Sequence, residues 1–570
     1  MRFTVAGSIG ILAIIAIILG LGIPFGGYLY RVFTGGHSRF EAVFAPFERL
    51  LYRLVGVNPS VQMDWKAYLR ALMLVNFMMM IFAYLIFRLQ GILPFNPDHI
   101  PGMSWDLAFN TAASFITNTN WQNYAGEQSM SYLGQMLAIT YLQFTSAATG
   151  FVAAIAFLRG LVAHKSESLG NFWVDLIKVH TRVLLPLAVV FAVVLVGLGV
   201  PQTLLGAQIA HTLQGSTQTI SRGPVASLEA IKQLGTNGGG FFNANSAHPF
   251  EDPTALTSVL EMIAMGLIPT ALLATFGKFI ANRRQAVVLY VLLTALLIIG
   301  AFIVYANEVG GNPLVHQALG LSGPNMEGKE WRFGPALSSA FVAMTTAFTT
   351  GAVNTMHDSL MPLSQLVPLL FMMFNLIFGG KGVGLLNILM FLLITVFLSG
   401  LMVGRTPEIF GKKIEAREMK LATVAMLVHP FLILVPTAIA VVTKAGTSSM
   451  LNPGLHGFTE VLYAFTSAAA NNGSAFAGLN GNTVFYNLSL GIVMLLGRYV
   501  SIIAMFAIAG SLAKKAIIPQ TSGTLRTDTF AFGSVFVAVF VIVGALTFFP
   551  ALAIGPIGEQ LQMMSHIVGH

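Results

Sequence analysis

GTNGGG, at residues 235–240, consists mostly of glycine, the residue that adopts backbone conformations closed to the others. Three further segments resemble it, and each also ends a stretch rich in small residues: TNTNWQ (117–122), TTGAVN (349–354) and NNGSAF (471–476). The steps between them are 118, 113 and 122 residues, measured from Asn118, Thr236, Thr349 and Asn471. A fixed period of this size indicates an internal repeat. The sequence therefore predicts four copies of one unit of about 118 residues, arranged around a centre.

The composition is that of an integral membrane protein. Of the 570 residues, 55% are hydrophobic and only 9% are charged, and the mean hydropathy is +0.76. Ten uncharged runs can each hold a transmembrane helix, which needs about 20 apolar residues. We predict a first transmembrane helix in 1–30, repeats at 60–160, 180–280, 285–405 and 420–512, and a last transmembrane helix in 528–558. The chain has no cysteine, which excludes disulfides and thiol chemistry.

The positive charges predict the orientation. If the N-terminus is placed outside and ten crossings are counted, five segments on the cytoplasmic side hold 21 of the 30 Lys and Arg residues: 31–70, 159–182, 278–284, 405–420 and 514–526. Cytoplasmic loops carry such an excess, so both termini are expected on the extracytoplasmic side. This topology explains the net charge of +8 without a nucleic-acid partner.

Each predicted repeat has the same order of parts: a crossing, an outer loop, a short amphiphilic stretch, the glycine- or asparagine-rich break, and a crossing back. The short stretches (106–116, 226–234, 338–348 and 459–469) have about ten residues, which is half a crossing at ~1.5 Å per residue. Irregular backbone at membrane depth is tolerated only where protein encloses it or where it lines a wet cavity. The four breaks therefore predict one shared central path.

The breaks contain no carboxylate. Rings of backbone carbonyls replace the water shell of a monovalent cation, and the carboxyl end of a short helix adds partial negative charge. Ca²⁺ and Mg²⁺ sites normally recruit Asp or Glu, so the pattern favours a large, weakly hydrated ion such as K⁺. The alternative is that such segments are ordinary turns in outer loops, which explains one of them more easily than four at a common period.

Three longer segments resemble the potassium-binding A subunits of the Kdp potassium-transporting ATPases: SFITNTNWQ (114–122), QLGTNGGGFFNANSAHPFEDPT (233–254) and AFTSAAANNGSAFAG (464–478). The resemblance covers essentially the whole chain. It implies an all-α protein of the bacterial cytoplasmic (inner) membrane with four fused channel-like M1-P-M2 repeats around a pseudo-fourfold pore and one extra helix at each end. This architecture is shared with the Trk and Ktr potassium transporters.

The resemblance also implies which residues form the K⁺ selectivity filter: Asn118, Thr119 and Asn120, then Thr236, Asn237 and Gly238, then Thr349, Thr350 and Gly351, and finally Asn471, Asn472 and Gly473. Repeat 1 has Asn120 where the others have glycine, which favours one dominant site at the mouth over a queue of identical sites. Gln122 resembles a family position beside the filter that tunes selectivity.

In such a family this chain binds K⁺ and delivers it to a P-type ATPase, which is the B member of the complex. The single-span C and F members and membrane lipids are the other expected partners. Neither a GxxxxGK[ST] loop nor a DKTG motif occurs in the sequence, so we expect a non-catalytic subunit that binds no ATP. A gradient-coupled permease of the Trk/Ktr type and a passive K⁺ channel remain open as alternatives.

Repeat 3 has an irregularity at GGKGVG (379–384), which separates two apolar runs, 360–378 and 385–403, each long enough to cross. Two full crossings would place the cations of 405–420 outside, so a single crossing broken at this loop is preferred. Lys381 would then lie below the filter and oppose straight flow of K⁺ to the cytoplasm. The alternative is an ordinary lysine on the outer face beside a glycine-rich turn.

Two further groups carry charge near the predicted path. Arg498 is the only charged residue between 461 and 513, and its expected roles are to hold the broken helix of repeat 3 or to shape the field under the filter. Snorkelling to the interface is the alternative for this arginine. The polar residues of 243–248 are expected to support an outer vestibule, with Glu251 and Asp252 attracting cations there.

Overall fold

The computed structural model describes residues 4–35, 41–320, 322–519 and 525–568. Within these residues, ten helices are long and apolar enough to cross a membrane, which confirms the predicted number. They are Val5–Thr34, Trp65–Ile92, Gly134–Val162, Phe172–Gly197, Ala255–Phe279, Arg283–Leu319, Val383–Met402, Ala416–Val442, Val484–Lys514 and Phe530–Ser565. Polar caps set several of their starts; the hydroxyl of Thr483, for example, accepts the backbone N–H of Tyr486.

Four shorter helices lie between successive crossings, and we call them pore helices 1 to 4: Trp105–Ile116, Val225–Leu234, Gly334–Ala347 and Gly454–Ala470. The same backbone hydrogen bond follows each of them. It runs from an N–H to the carbonyl five residues earlier, in the pairs Thr119–Ser114, Asn237–Lys232, Thr350–Thr345 and Asn472–Ser467, at 2.8–3.0 Å. The four repeats therefore share a local backbone geometry as well as an order of elements.

The remaining elements are short. The helices among them are Glu41–Val55, Gly126–Ser129, Pro362–Phe374, Lys444–Thr447 and Gly558–Val568. Three two-stranded antiparallel pairs join Met63–Asp64 with Ser168–Gly170, Gln208–His211 with Thr217–Ile220, and Glu408–Ile409 with Lys412–Lys413.

The first crossing packs closely on the fifth, Ala255–Phe279, through two glycines spaced four residues apart. A Cβ atom on Gly22 would lie 2.0 Å from the hydroxyl of Thr270, and one on Gly26 would lie 2.4 Å from the carbonyl oxygen of Ala271. Small residues with this spacing let two membrane helices approach until their backbones touch.

Both ends of the described chain lie on the face where the pore helices begin, which we call the filter face. The backbone N–H of Thr4 donates to the hydroxyl of Tyr305 at 3.2 Å, and Gly7 lies beside Ala336 at the start of pore helix 3. Near the other end, Glu559 contacts His456 at the start of pore helix 4, at 2.9 Å. The two termini are thus on one side of the helix bundle.

The second half of repeat 3 is broken. One helix, Pro362–Phe374, ends where Asn375 adopts a left-handed conformation with φ of 49°, and the crossing resumes at Val383. With 13 residues, the first piece spans about 20 Å and cannot cross alone. The break therefore begins at Asn375, four residues before the GGKGVG loop at which a single broken crossing is predicted, because the left-handed residue ends the helix there.

Candidate functional site

The four breaks have one backbone conformation. Each break contains a three-residue filter segment, predicted above, whose first residue is left-handed and is not glycine: Asn118, Thr236, Thr349 and Asn471 have φ values of 62°, 44°, 48° and 53°. The third residues, Asn120, Gly238, Gly351 and Gly473, are left-handed as well, with φ between 60° and 99°. A left-handed threonine is uncommon because its β-branched side chain crowds the backbone, and such strain concentrates at functional sites.

The glycines of the third position fit against the carbonyls of the next repeat. A Cβ atom on Gly238 would lie 2.1 Å from the carbonyl oxygen of Thr350, and one on Gly351 would lie 2.0 Å from that of Asn472. A Cβ on Gly473 would lie 1.8 Å from the carbonyl oxygen of Thr119. Because these distances are far below any real contact, each loop touches its neighbour directly through its backbone.

Repeat 1 closes the ring in a different way. Its third residue is Asn120, and the facing loop of repeat 2 has an additional glycine: a Cβ on Gly239 would lie 2.8 Å from Cβ of Asn120 and 2.7 Å from the ring of Phe115. The glycine that repeat 1 lacks is thus supplied by repeat 2. The carboxamide of Asn118 also donates to the carbonyl oxygen of Thr236 at 2.6 Å. The four loops, in chain order, form one closed ring.

Side chains hold the loops from behind. The carboxamide of Gln122 makes two bonds to one residue, donating to the carbonyl of Gly240 at 2.9 Å and accepting its N–H at 3.0 Å. Asn245 donates to the carbonyl of Gly238 at 2.7 Å and accepts the N–H of Val353 at 3.2 Å, which links repeats 2 and 3. Gln143 donates to the carbonyl of Gly239 at 2.8 Å. The backbone of repeat 2 is therefore fixed residue by residue.

Above the ring, on the filter face, is a cavity of about 450 Å³. The third residues of all four loops line it, together with Gln122, Asn245 and Gly328. A cavity in contact with every repeat lies on the common centre. The ring therefore has an open mouth that is wide enough for several water molecules.

Lys381 lies on the other side of the ring. Its backbone N–H donates to the hydroxyl of Thr236 at 3.2 Å, and its Nζ donates at 3.3 Å to the carbonyl of Leu234, the last residue of pore helix 2. The side chain is 2% exposed. The irregular segment 375–382 thus passes directly beneath the ring of loops, where Asn375 also contacts the hydroxyl of Thr349 at 3.0 Å.

Arg498 lies beside this segment and is 4% exposed. Its guanidinium donates to the carbonyl of Ser146 at 3.1 Å. Gly150 packs against both groups: a Cβ atom there would lie 2.5 Å from the carbonyl oxygen of Lys381 and 2.7 Å from Nη2 of Arg498. Among the described residues, neither cation pairs with a carboxylate. Two buried basic side chains therefore share the space below the ring.

The structure corrects the expectation for Glu251 and Asp252, which are fully buried and do not line the central cavity. Glu251 accepts from Nζ of Lys232 at 2.6 Å and from the N–H of Phe242 at 2.7 Å. Lys232 also donates to Glu229 at 2.9 Å. Burial raises the pKa of Asp252 to about 7. Glu251 thus connects the buried Lys232 to the backbone of the loop of repeat 2.

A second charged group occurs at the edge of the filter face, where Asp358, His456 and Glu460 bring potential metal-ligand atoms within 4.8 Å of one another. Both nitrogens of His456 are occupied, by Asp358 at 3.0 Å and by Glu559 at 2.9 Å. Burial lowers the pKa of His456, but the bonds to the two carboxylates outweigh it and raise the pKa to about 10. The protonated imidazole thus bridges two carboxylates.

Sequence reasoning missed several residues that hold the ring. Three of them are Gly239, which packs against Asn120, Gln143, which bonds to Gly239, and Asn245, which bonds to Gly238. No spacing in the sequence relates these residues to their partners. A partial signal exists for Gly239, since GTNGGG has one glycine more than the third position requires. Asn245 falls in the segment expected to support the vestibule, without a specific role.

A closed ring of four strained loops, each following a half-length helix and set between two crossings, defines a four-repeat pore-loop membrane protein. The solved potassium transporter TrkH from Vibrio parahaemolyticus has the same fold: it aligns with a TM-score of 0.51 at 13% identity, over 87% of this chain and 97% of that one. At this identity the likeness concerns the fold alone.

The sequence matches much nearer relatives. The profile of the KdpA family, described as the potassium-transporting ATPase A subunit, matches residues 12–561. The potassium-transporting ATPase potassium-binding subunit of Alicyclobacillus acidocaldarius is 73% identical over 97% of this chain and 99% of its own length. The proteins of the same name in Caldanaerobacter subterraneus and Geobacillus kaustophilus are 52% and 51% identical, over 98% and 96% of this chain. The chain belongs to the family of potassium-transporting ATPase A subunits.

Proposed function

We propose that this chain is the potassium-binding subunit of an ATP-driven potassium-uptake complex. The observation that carries the proposal is the closed ring of four loops beneath a single cavity, in a chain of this family. The ring has no carboxylate of its own, which favours a monovalent ion bound by carbonyl and side-chain oxygens over a divalent one.

In this proposal the filter consists of three residues of each break: Asn118, Thr119 and Asn120, Thr236, Asn237 and Gly238, Thr349, Thr350 and Gly351, and Asn471, Asn472 and Gly473. The carbonyls of Gly238 and Gly239 already accept side-chain bonds from Asn245 and Gln143, so repeat 2 contributes differently from the others. This asymmetry supports one dominant K⁺ site. Gln122 tunes its selectivity through the backbone of Gly240.

Lys381 and Arg498 act below the site in the proposal. Two buried positive charges repel a cation that continues straight toward the opposite face, since charges interact strongly where water is scarce. The segment 375–382 thereby blocks channel-like flow. K⁺ leaves instead toward a P-type ATPase, the B member of a complex that also contains the single-span C and F members.

The filter face is extracytoplasmic in this account, and the complex lies in the bacterial cytoplasmic membrane. The distribution of Lys and Arg supports that orientation, since most of them fall on the other side of the predicted crossings. This chain has neither a GxxxxGK[ST] loop nor a DKTG motif, and in this proposal the partner hydrolyses ATP.

The test is to purify the chain from its native membrane and to measure K⁺-stimulated ATP hydrolysis and K⁺ uptake by whatever complex is recovered. A P-type ATPase that co-purifies and a hydrolysis rate that depends on K⁺ are the expected results. Uptake of K⁺ by this chain alone, in vesicles without ATP, would contradict the proposal and indicate a gradient-coupled permease or a passive channel.

A further inference from the structure

A chain of side-chain hydrogen bonds connects the segment after the filter of repeat 3 to the filter of repeat 4. Nδ1 of His357 lies 2.6 Å from the hydroxyl of Tyr463, which lies 2.7 Å from Oγ of Ser474. Oγ of Ser474 donates to Oδ1 of the filter residue Asn472 at 2.6 Å. All four residues are buried, with at most 1% of each exposed. We call this chain the 357–472 relay.

The orientation of the Asn472 carboxamide at the end of the relay is fixed on both sides. Its oxygen accepts the backbone N–H of Ser474 at 3.0 Å, and its nitrogen donates to the carbonyl of Thr345, in pore helix 3, at 3.0 Å. If the amide oxygen and nitrogen were exchanged, the nitrogen would face the N–H of Ser474 and the oxygen would face the carbonyl of Thr345. The carboxamide therefore has one satisfactory orientation.

Proton counting then fixes the direction of every bond in the relay. Ser474 has one hydroxyl proton, which it gives to Asn472, so it accepts from Tyr463. Tyr463 has thereby used its only proton, so it accepts from the imidazole, and His357 carries its hydrogen on Nδ1. All three bonds point the same way, from the histidine toward the filter.

His357 is suited to this role because it stays neutral. Burial and the nearby Lys329 lower its pKa to about 3. Within the described part of the chain, its Nε2 is buried without a hydrogen-bond partner. The imidazole therefore has one hydrogen bond among the described residues, the Nδ1 bond to Tyr463 that begins the relay.

We propose that His357 is a positioning residue for ion selection, acting through Tyr463 and Ser474 to hold Asn472 in the filter. The position of Asn472 matters because its backbone carbonyl oxygen packs against Gly351 of repeat 3. A Cβ atom on Gly351 would lie 2.0 Å from that oxygen. A small rotation of this residue therefore alters the contact between repeats 3 and 4. The proposal rests on the proposed function, since it assumes that the ring selects K⁺.

The first test compares two buried tyrosines in the assembled complex. Tyr463→Phe removes the hydroxyl that joins His357 to Ser474. Tyr486→Phe is the matched control: Tyr486 is equally buried, and its hydroxyl donates to the carbonyl of Gly446, away from the filter, at 3.1 Å. We expect Tyr463→Phe to raise the KM for K⁺ in ATP hydrolysis about tenfold and to weaken discrimination against Rb⁺, with kcat changed less than about twofold. The control keeps both properties.

The second test uses the geometry of the imidazole. The amide nitrogen of asparagine lies near the position of Nδ1, whereas that of glutamine lies near Nε2. His357→Asn therefore preserves the donor that starts the relay, and His357→Gln displaces it. We expect the asparagine variant to remain within about threefold of the wild-type KM and the glutamine variant to resemble Tyr463→Phe. A merely structural role of the histidine predicts no such difference.

Each outcome separates the two claims. If the wild-type complex responds to K⁺ while Tyr463→Phe keeps its KM and discrimination, or while the two His357 variants behave alike, the positioning role is wrong and the proposed function stands. If the wild-type complex shows no K⁺ dependence, the proposed function is wrong, and the positioning role is wrong with it.

Discussion

A Cβ atom added to Gly473 would lie 1.8 Å from the carbonyl oxygen of Thr119, although the two residues are more than 350 positions apart in the chain. This contact joins the last repeat to the first and closes the ring. It also shows why glycine is needed there for two reasons, the left-handed φ of 99° and the absence of space.

Gly473→Ala separates the two reasons when it is compared with Gly199→Ala. Gly199 has a similar φ of 104°, but nothing lies within 4 Å of its missing Cβ, so alanine meets strain there without a clash. We expect Gly473→Ala to raise the KM for K⁺ at least about tenfold, since the loop must move away from Thr119. The Gly199 variant keeps the wild-type KM. Equal KM values in the two variants would contradict the ring geometry as the basis of ion binding.

Lys381→Met tests the barrier beneath the filter. The substitution keeps the length of the side chain and removes its charge, so less repulsion opposes a cation leaving the ring. We expect an ATP-independent K⁺ leak through vesicles containing the complex, measured as passive Rb⁺ flux. Lys444→Met is the control, because Lys444 is exposed and does not line the cavity above the ring. Tight vesicles with normal pumping in the Lys381 variant would exclude the gating role.

Lys232→Met tests the buried charges behind the filter loop of repeat 2. Removal of this cation leaves Glu229 and Glu251 without their partner, and breaking a buried pair costs about 3–5 kcal/mol of folding free energy. Thermal unfolding of the complex should show the loss, and the loss should be smaller at pH 5 than at pH 8, because protonation neutralises the stranded carboxylates. Lys413→Met, at an exposed position, should leave the unfolding temperature unchanged. An unaffected Lys232 variant would mean that the cluster does not stabilise the loop.

The pair of bonds at His456 predicts a pH dependence of stability. Because its pKa is about 10 in the folded chain and 6.5 when free, the folded form holds a proton that the unfolded form loses. The stabilisation is therefore complete below about pH 6.5 and declines as the pH rises to about 10. His456→Gln should remove this decline from a plot of unfolding temperature against pH. His211→Gln, in the exposed hairpin, should retain the decline. A decline of the same size in both variants would assign the dependence to other groups.

The fold could be predicted from the sequence to the extent that it depends on local patterns. The period of the four breaks and the apolar runs predict the ten crossings, and the structure confirms both the number of helices and the fold class. The left-handed residues were only partly predictable. Glycine at 238, 351 and 473 indicates a left-handed residue, and asparagine at 118 and 471 is compatible with one. Threonine rarely adopts this conformation, so the left-handed residues at 236 and 349 could not be predicted.

What could not be predicted is the set of contacts between repeats. Gly239 makes room for Asn120, and Asn245 holds the carbonyl of Gly238, through packing that no local pattern encodes. Glu251 follows a polar segment and was expected to be exposed, but Lys232, nineteen residues earlier, neutralises it in the interior. The limits of the four repeats, and the roles of the filter residues, remain predictions.

The most direct test of the central claim is to locate the bound ion. Tl⁺ is similar in size to K⁺ and scatters X-rays anomalously, so crystals of the complex grown with Tl⁺ in place of K⁺ would mark the site. The account predicts one dominant anomalous peak at the mouth of the ring, at the level of Asn120, Gly238, Gly351 and Gly473. A dominant peak outside the ring, with none between these four residues, would contradict it.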